Sequence, residues 1–214
     1  MESFQSEREK MVEHQIARRG VRDERVLDVM RSVPRHLFLS EEVHGYAYAD
    51  CPVRIGSGQT VSQPYIVALM TELLMVEPHH KVMDVGTGSG YQAAILGELA
   101  KEVHTIERYP ELAEKAKTKL EELGYPNIHV HVGDGTQGFS PFAPYDRIVV
   151  GAAAPAVPEA LLQQLSDAGR LVIPVGSRFS QSLEVWIKKG KDFEHTSSIP
   201  VVFVPLVGKD GWNE

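Results

Sequence analysis

The residues best placed to do chemistry cluster at a glycine-rich turn, Val82-Met83-Asp84-Val85-Gly86-Thr87-Gly88-Ser89-Gly90-Tyr91. A short β-branched run feeds this turn and a helical pattern leaves it. Glycines at such a place admit positive φ and let a ligand reach bare backbone. The spacing is G-x-G-x-G, not the G-x-G-x-x-G that seats a pyrophosphate on a helix N-terminus. Glu107 ends the next strand pattern, 21 positions after Gly86. A carboxylate there can accept hydrogen bonds from both hydroxyls of a ribose. Asp134, in Gly133-Asp134-Gly135, ends the third strand pattern, where a carboxylate or its neighbouring backbone can meet an adenine amino group. Each feature alone also reads as a tight turn, a helix cap or a solvated strand end. Three of them in order at successive strand ends predict a nucleoside site.

Other chemistries find little support. No G-x-S-x-G is present, which disfavours a serine-hydrolase elbow. His129 and His131 share one face of a strand and could pair on a metal, but no third ligand is spaced to help, so no metal is expected. Cys51 reads as a buried, unreactive thiol. Gly151-Ala152-Ala153-Ala154-Pro155 stands where base-methylating enzymes often carry Asn/Asp-Pro-Pro-Tyr/Phe. The net charge of −7 and pI near 5.7 argue against a long phosphate-backbone contact. Small-molecule, peptide or protein substrates fit better than nucleic acid.

The elements that must position these residues follow from pattern. Strand candidates at 81–85, 102–107, 128–132, 146–150 and 170–175 alternate with helices over about 91–101, 110–123 and 157–166. Nearly continuous apolar strands between helices predict a parallel sheet covered on both faces, and right-handed crossovers make it doubly wound. After Gly176 the pattern holds strands only, 182–188 and 193–206, joined by a KGKD turn. Upstream, helices are expected over 6–19, with Ser6-x-x-Glu9 as a capping box, from Asp23 to before Pro34, and over Pro64–Met75. Residues 35–63 read as irregular. The expected fold class is therefore α/β: a Rossmann-like, doubly wound, mostly parallel sheet with N-terminal helices and a C-terminal antiparallel strand pair. A single domain over 1–214 is expected, with an N-terminal extension (1–63), a cofactor-binding core (64–176) and C-terminal strands (177–214). One cysteine and a charged first segment suit a cytoplasmic protein, and no apolar run is long enough to span a bilayer.

The D-V-G-T-G-S-G segment resembles the first motif of class I S-adenosylmethionine methyltransferases. A nicotinamide dehydrogenase shares the topology, but its third glycine would fall one residue later and no hydride-side group is evident. Beyond this motif, Gly58-Gln59-Thr60-Val61-Ser62-Gln63-Pro64-Tyr65, Val33-Pro34-Arg35-His36-Leu37-Phe38, Gly133-Asp134-Gly135 and Phe203-Val204-Pro205-Leu206-Val207-Gly208 are together similar to protein-L-isoaspartate O-methyltransferases. The resemblance runs from about residue 8 to 208. Val53-Arg54 and Thr136 depart from the commonest form, at the substrate rim.

The resemblance implies a reaction that methylates the free α-carboxylate of L-isoaspartyl residues in damaged proteins and peptides, initiating repair through a succinimide. S-adenosyl-L-methionine is the implied cofactor, with S-adenosyl-L-homocysteine as its product. Gln59, Asp84, Gly86, Thr87, Gly88, Ser89, Gly90, Glu107, Asp134 and Gly135 are implied at the cofactor, and Thr60, Ser62, Val204 and Leu206 at the substrate. Ser62 is the candidate catalytic residue, orienting the acceptor carboxylate through its hydroxyl. It reads equally as the N-cap of the helix that starts at Pro64. The 203–208 segment could pair with an extended peptide through its backbone. Such an enzyme is expected to act as a monomer on isoaspartyl proteins, with neither nucleic acid nor membrane as partner. A class I methyltransferase of small-molecule carboxylates or hydroxyls is the alternative.

Overall fold

The computed structural model describes residues 3–213. Met11, Val12 and Ile16 bury one face of a helical run from Phe4 to Arg19. Helix α1 (Phe4–Lys10) widens to i→i+5 turns over Met11–Ile16 and tightens to a 3₁₀ turn at Ala17–Arg19. Gly20 ends the run in the left-handed region at φ 102°. The expected Ser6-x-x-Glu9 box is not its cap. The Ser3 hydroxyl instead accepts from the Ser6 amide, because the helix starts earlier than the apolar stripe shows. Helix α2 (Glu24–Ser32) is capped by Asp23, whose side chain accepts from the Arg25 amide. It buries Val26, Leu27, Val29 and Met30 and stops ahead of Pro34.

The stretch expected to be irregular contains a hairpin. Strand β1 (Val53–Gly56) pairs antiparallel with β2 (Gln59–Val61), with Val53 opposite Val61 and Arg54 opposite Thr60. Gly56, Ser57 and Gly58 all take positive φ, which turns the chain back in so short a space. Helix α3 (Pro64–Leu74) follows directly, with proline at its first turn, where no amide is needed.

The main sheet has seven strands: β3 (Lys81–Val85), β4 (Glu102–Glu107), β5 (Ile128–Val132), β6 (Tyr145–Val150), β7 (Leu165–Gly176), β8 (Gln181–Lys189) and β9 (Asp192–Val201). Their order across the sheet is β5-β4-β3-β6-β7-β8-β9. The first five are mutually parallel, whereas β8 and β9 run antiparallel, as the sequence pattern implied. Helices α4 (Tyr91–Leu99) and α5 (Pro110–Glu122) make the crossovers from β3 to β4 and from β4 to β5. The chain then returns to lay β6 on the other side of β3. This reversal is the switch point at whose carboxyl edge open α/β sheets open a ligand crevice.

Two predicted elements are shorter than expected. Helix α6 covers only Glu159–Gln163, and Leu165–Gly169 joins β7 instead, with a kink where Ala168 takes φ 56°. The last strand ends at Val201 rather than at 206. Beyond it, residues 202–208 form a loop bridged to Ala153 and Trp212. Among the described residues, no helix is long and apolar enough to cross a membrane.

Candidate active site

The glycine turn after β3 adopts the backbone that its sequence demands. Gly86, Gly88 and Gly90 have φ of 98°, 52° and 88°. A Cβ on Gly88 would also lie 3.3 Å from Ile55 Cδ1, so the hairpin packs directly on the turn. The Gly88 amide donates to Glu107 Oε2 (2.9 Å) and the Tyr109 amide to Oε1 (3.1 Å). Each oxygen of this largely buried carboxylate thus holds one backbone donor and keeps a lone pair for another. Glu107 stands at the end of β4 against a cavity of about 310 Å³. The hairpin residues Gln59 and Thr60 bound one side of that cavity, and Gly86, Gly88 and Gly135 bound the sheet side. A Cβ on Gly135 would fall 2.5 Å from Val85 Cγ1, so only glycine lets this turn lie against the strand end.

Asp84 lies behind the turn, facing a smaller recess that Thr60, Ser62, Thr87 and Ser89 also line. Its Oδ2 accepts from Thr105 Oγ1 (2.8 Å), which lies 2.6 Å from Thr87 Oγ1. Its Oδ1 is buried and has no partner among the described residues. Burial pushes this carboxyl up to about 7 against the lowering hydrogen bond from Thr105, and the Glu107 charge adds to the rise. An orphaned acidic oxygen at this place fits a cationic donor such as an α-ammonium group.

Of the two groups expected at the third strand end, a carboxylate or its neighbouring backbone, the Asp134 carboxylate is bound to the protein itself. Its Oδ1 accepts from the Thr136 amide (2.9 Å) and hydroxyl (2.7 Å), and its Oδ2 from the Lys209 amide (2.8 Å). Burial raises this carboxyl, but the bonds from Lys209 and Thr136 outweigh it and hold the group below its ordinary value. Its acceptor capacity thus goes largely to pinning the 208–210 loop. Gly135, rather than Asp134, borders the cavity. Thr136 is fully buried and also accepts from the Asp210 amide (3.2 Å).

Ser62 lines both the Asp84 recess and a second cavity of about 580 Å³. It is not a helix cap: the N-cap of α3 is Gln63, which makes no side-chain capping bond. The Ser62 hydroxyl has no protein partner among the described residues, whereas its carbonyl accepts from Arg35 Nη2 (2.7 Å). Arg35 is fully buried, donates through Nε to the Ala47 carbonyl (2.8 Å) and lies 4.9 Å from the centre of the Tyr91 ring. Burial holds its guanidinium below the usual arginine range. Sequence reasoning placed Arg35 in a family-like segment without a role. Its partners lie 12 and 27 residues away, so no local pattern signals them.

Val204 borders both cavities, whereas Leu206 lies on the Glu107 side and not on the Ser62 side. The backbone of this loop is partly spent. The Val204 carbonyl accepts from Ala153 (2.8 Å) and the Leu206 amide donates to the same residue (2.7 Å). Those two groups are therefore not free to pair with a peptide, contrary to the expectation for a continuous strand. His131 does not pair with His129. It lies 3.0 Å from His104 Nδ1 and stacks on Phe139, while His104 Nε2 is 3.0 Å from Glu102. Cys51 is partly exposed rather than buried.

The Glu107 and Ser62 cavities have Thr60, Gly151 and Val204 in common. A Rossmann-like sheet with a strand-end carboxylate, a G-x-G-x-G turn and an adjoining second cavity defines a class I methyltransferase fold. A family model described as protein-L-isoaspartate(D-aspartate) O-methyltransferase matches residues 6–211, and the chain belongs to that family. It is 52% identical over 213 residues to protein-L-isoaspartate O-methyltransferase 1 of Syntrophobacter fumaroxidans, covering 99% of each chain. It is 53% identical to the Methanoculleus marisnigri protein-L-isoaspartate O-methyltransferase, over 96% of this chain and 94% of that one. Among solved structures, a protein-L-isoaspartate O-methyltransferase superposes with a TM-score of 0.86 at 29% identity, over 95% of this chain and 67% of that one. A Plasmodium falciparum structure described as a putative member, in complex with S-adenosyl-L-homocysteine, gives 0.82 at 26% identity, over 94% and 98%.

Proposed function

We propose that this chain transfers a methyl group from S-adenosyl-L-methionine to the free α-carboxylate of L-isoaspartyl residues in damaged proteins and peptides. The observation that carries this reading is that two cavities, one bounded by Glu107 and the other by Ser62, share Thr60, Gly151 and Val204 in their linings. When bound, the sulfonium cofactor supplies a methyl group activated for displacement. Glu107 would hold the ribose hydroxyls with its two remaining lone pairs, and Gly135 would present backbone beside the adenine. Asp84 would take the α-ammonium on its unpartnered Oδ1. Gly86–Gly90 and Gln59 would enclose the methionine portion.

On the acceptor side, the Ser62 hydroxyl would donate to the carboxylate, with Thr60 beside it and Val204 against the peptide. The acceptor is already an anion at neutral pH, so no residue has to remove a proton. The protein's task is alignment and exclusion of water, and alignment alone is worth on the order of 7 kcal/mol in good cases. The methyl ester left on the peptide closes to a succinimide without help from any residue. We further read the chain as one methyltransferase unit over 1–214, acting as a monomer in the cytoplasm. Neither nucleic acid nor membrane enters this reading.

The test offers labelled S-adenosyl-L-methionine with an isoaspartyl peptide and its aspartyl twin. Base-labile label in the first alone is expected. Label in neither, while calorimetry shows cofactor binding, rejects the assignment.

A further inference from the structure

The Ser62 cavity carries a cation that the methyl transfer does not need. Arg19 is the only charged side chain among the described residues that line it. Its position is fixed by the fold. It closes the N-terminal helical run, where Gly20 turns the chain away. Its guanidinium carbon lies 3.7 Å from the centre of the Tyr65 ring, which is itself buried. Nη1 donates to both carboxylate oxygens of Asp50 (3.2 and 3.1 Å), and Gln63 Nε2 holds Asp50 in turn at 2.7 Å. Stacking on one face and an ion pair at one edge orient the fork and lower the entropy lost when it binds.

The rest of the fork is available. Nε and Nη2 have no protein partner among the described residues, and 42% of the side chain remains exposed. The stretch from Ile199 to Val204 that also lines the cavity is apolar, and Val202 is 75% exposed. A peptide whose isoaspartyl carboxylate sits at Ser62 would thus meet one cation in an otherwise uncharged lining. A planar guanidinium edge matches a carboxylate better than any other side chain. The protein as a whole carries −7, which would repel acidic substrates if no local cation opposed it.

We propose that Arg19 is a specificity-determining residue, selecting isoaspartyl substrates that carry an acidic side chain next to the damaged residue. This rests on the isoaspartyl reading above. Asp50 tempers the selection by sharing the guanidinium, and the half-exposed setting keeps it modest.

The experiment measures kcat/KM for matched isoaspartyl peptides that differ only in having Glu, Gln or Lys immediately before or after the isoaspartyl residue. At low salt, Glu should exceed Lys by about two- to fivefold at one of the two flanks, the range expected for a partly exposed ion pair. The ratio should shrink towards one near 1 M salt, where the screening length is about 3 Å. Arg19→Gln should flatten the ratio, Arg19→Glu should invert it and Arg19→Lys should keep its sign. Because each ratio is taken within one protein, a general loss of activity or stability cancels. An unchanged ratio in Arg19→Gln and Arg19→Glu, or a wild type that prefers Lys, overturns the inference. Methylation of none of the peptides by a wild type that still binds cofactor overturns the isoaspartyl reading, and this inference with it.

Discussion

Replacing Ser62 with alanine separates the two roles that its sequence position offers. A helix cap of this type is worth about 1 kcal/mol. Gln63 holds the cap position, however, and the Ser62 hydroxyl has no protein partner among the described residues. Ser62→Ala should therefore change folding stability by less than about 0.5 kcal/mol. The Arg35 bond to the Ser62 carbonyl survives the change, so the link from β2 into α3 stays in place. If the hydroxyl donates to the acceptor carboxylate, its loss removes a charge-assisted bond worth about 1.5–3 kcal/mol. That converts to a fall in kcat/KM of roughly 10- to 150-fold. Initial rates of base-labile methyl transfer to an isoaspartyl peptide, read beside thermal melts of both proteins, measure both quantities. A rate within twofold of wild type, or a rate loss matched by a melting point lowered by several degrees, refutes the reasoning.

Three further outcomes follow from the buried polar groups. Burial raises Asp84 to about 7 in the free protein, and a cation against Oδ1 would lower it. At pH 6 cofactor binding should then release protons, read by calorimetry in buffers of differing ionisation enthalpy. Asp84→Asn should release none, and equal release from both proteins contradicts this. Arg35→Leu strands the buried carbonyl of Ala47 and the partly buried carbonyl of Ser62, and should cost about 2 kcal/mol or more in denaturant unfolding; a cost below about 1 kcal/mol would count against the anchoring role. Burial, with His104 and His129 adding to it, lowers His131 to about 4. In the unfolded chain the same group sits near 6.5. As pH falls through this window the unfolded chain takes up a proton that the fold refuses, so stability drops. His131→Asn should flatten that part of the melting-point profile against pH, and identical profiles would show that the titrating group lies elsewhere.

Much of this was legible in the sequence, for definite physical reasons. The central strands read correctly because Val82–Val85 and Val103–Glu107 are buried throughout, and their β-branched Val82, Val85, Val103, Thr105 and Ile106 mark them as strands although His104 and Glu107 are polar. The positive φ values of the glycine turn and the place of Glu107 at the end of β4 were legible because backbone conformation and strand-end position are local properties. Errors arose where distant partners decide the outcome. Leu165–Gly169 follows a helix in sequence, yet Leu165 pairs with Tyr145 and Arg170 with Arg147, which draws the segment into the sheet. Val202–Val207 is apolar enough for a strand, but its bonds to Ala153 pull it across the cavity mouth. The β1–β2 hairpin spans too few residues for alternation to show. Arg35 offers no signal at all, because an arginine is expected at the surface unless its partners are known.

Thr60, Gly151 and Val204 line both the Glu107 and the Ser62 cavities, so in the proposed reaction they stand as a doorway between the room of the donor and that of the acceptor. Traffic through that doorway is a single methyl group. A bulkier residue at position 151 would start at ordinary contact distance from the Val85 and Gly86 carbonyls (3.5 and 3.6 Å for its Cβ). It would take space from both linings, which should slow exchange between a donor and an acceptor that each still bind. The same separation frees the outer chamber's walls to drift toward new peptide neighbours while the inner one stays as it is.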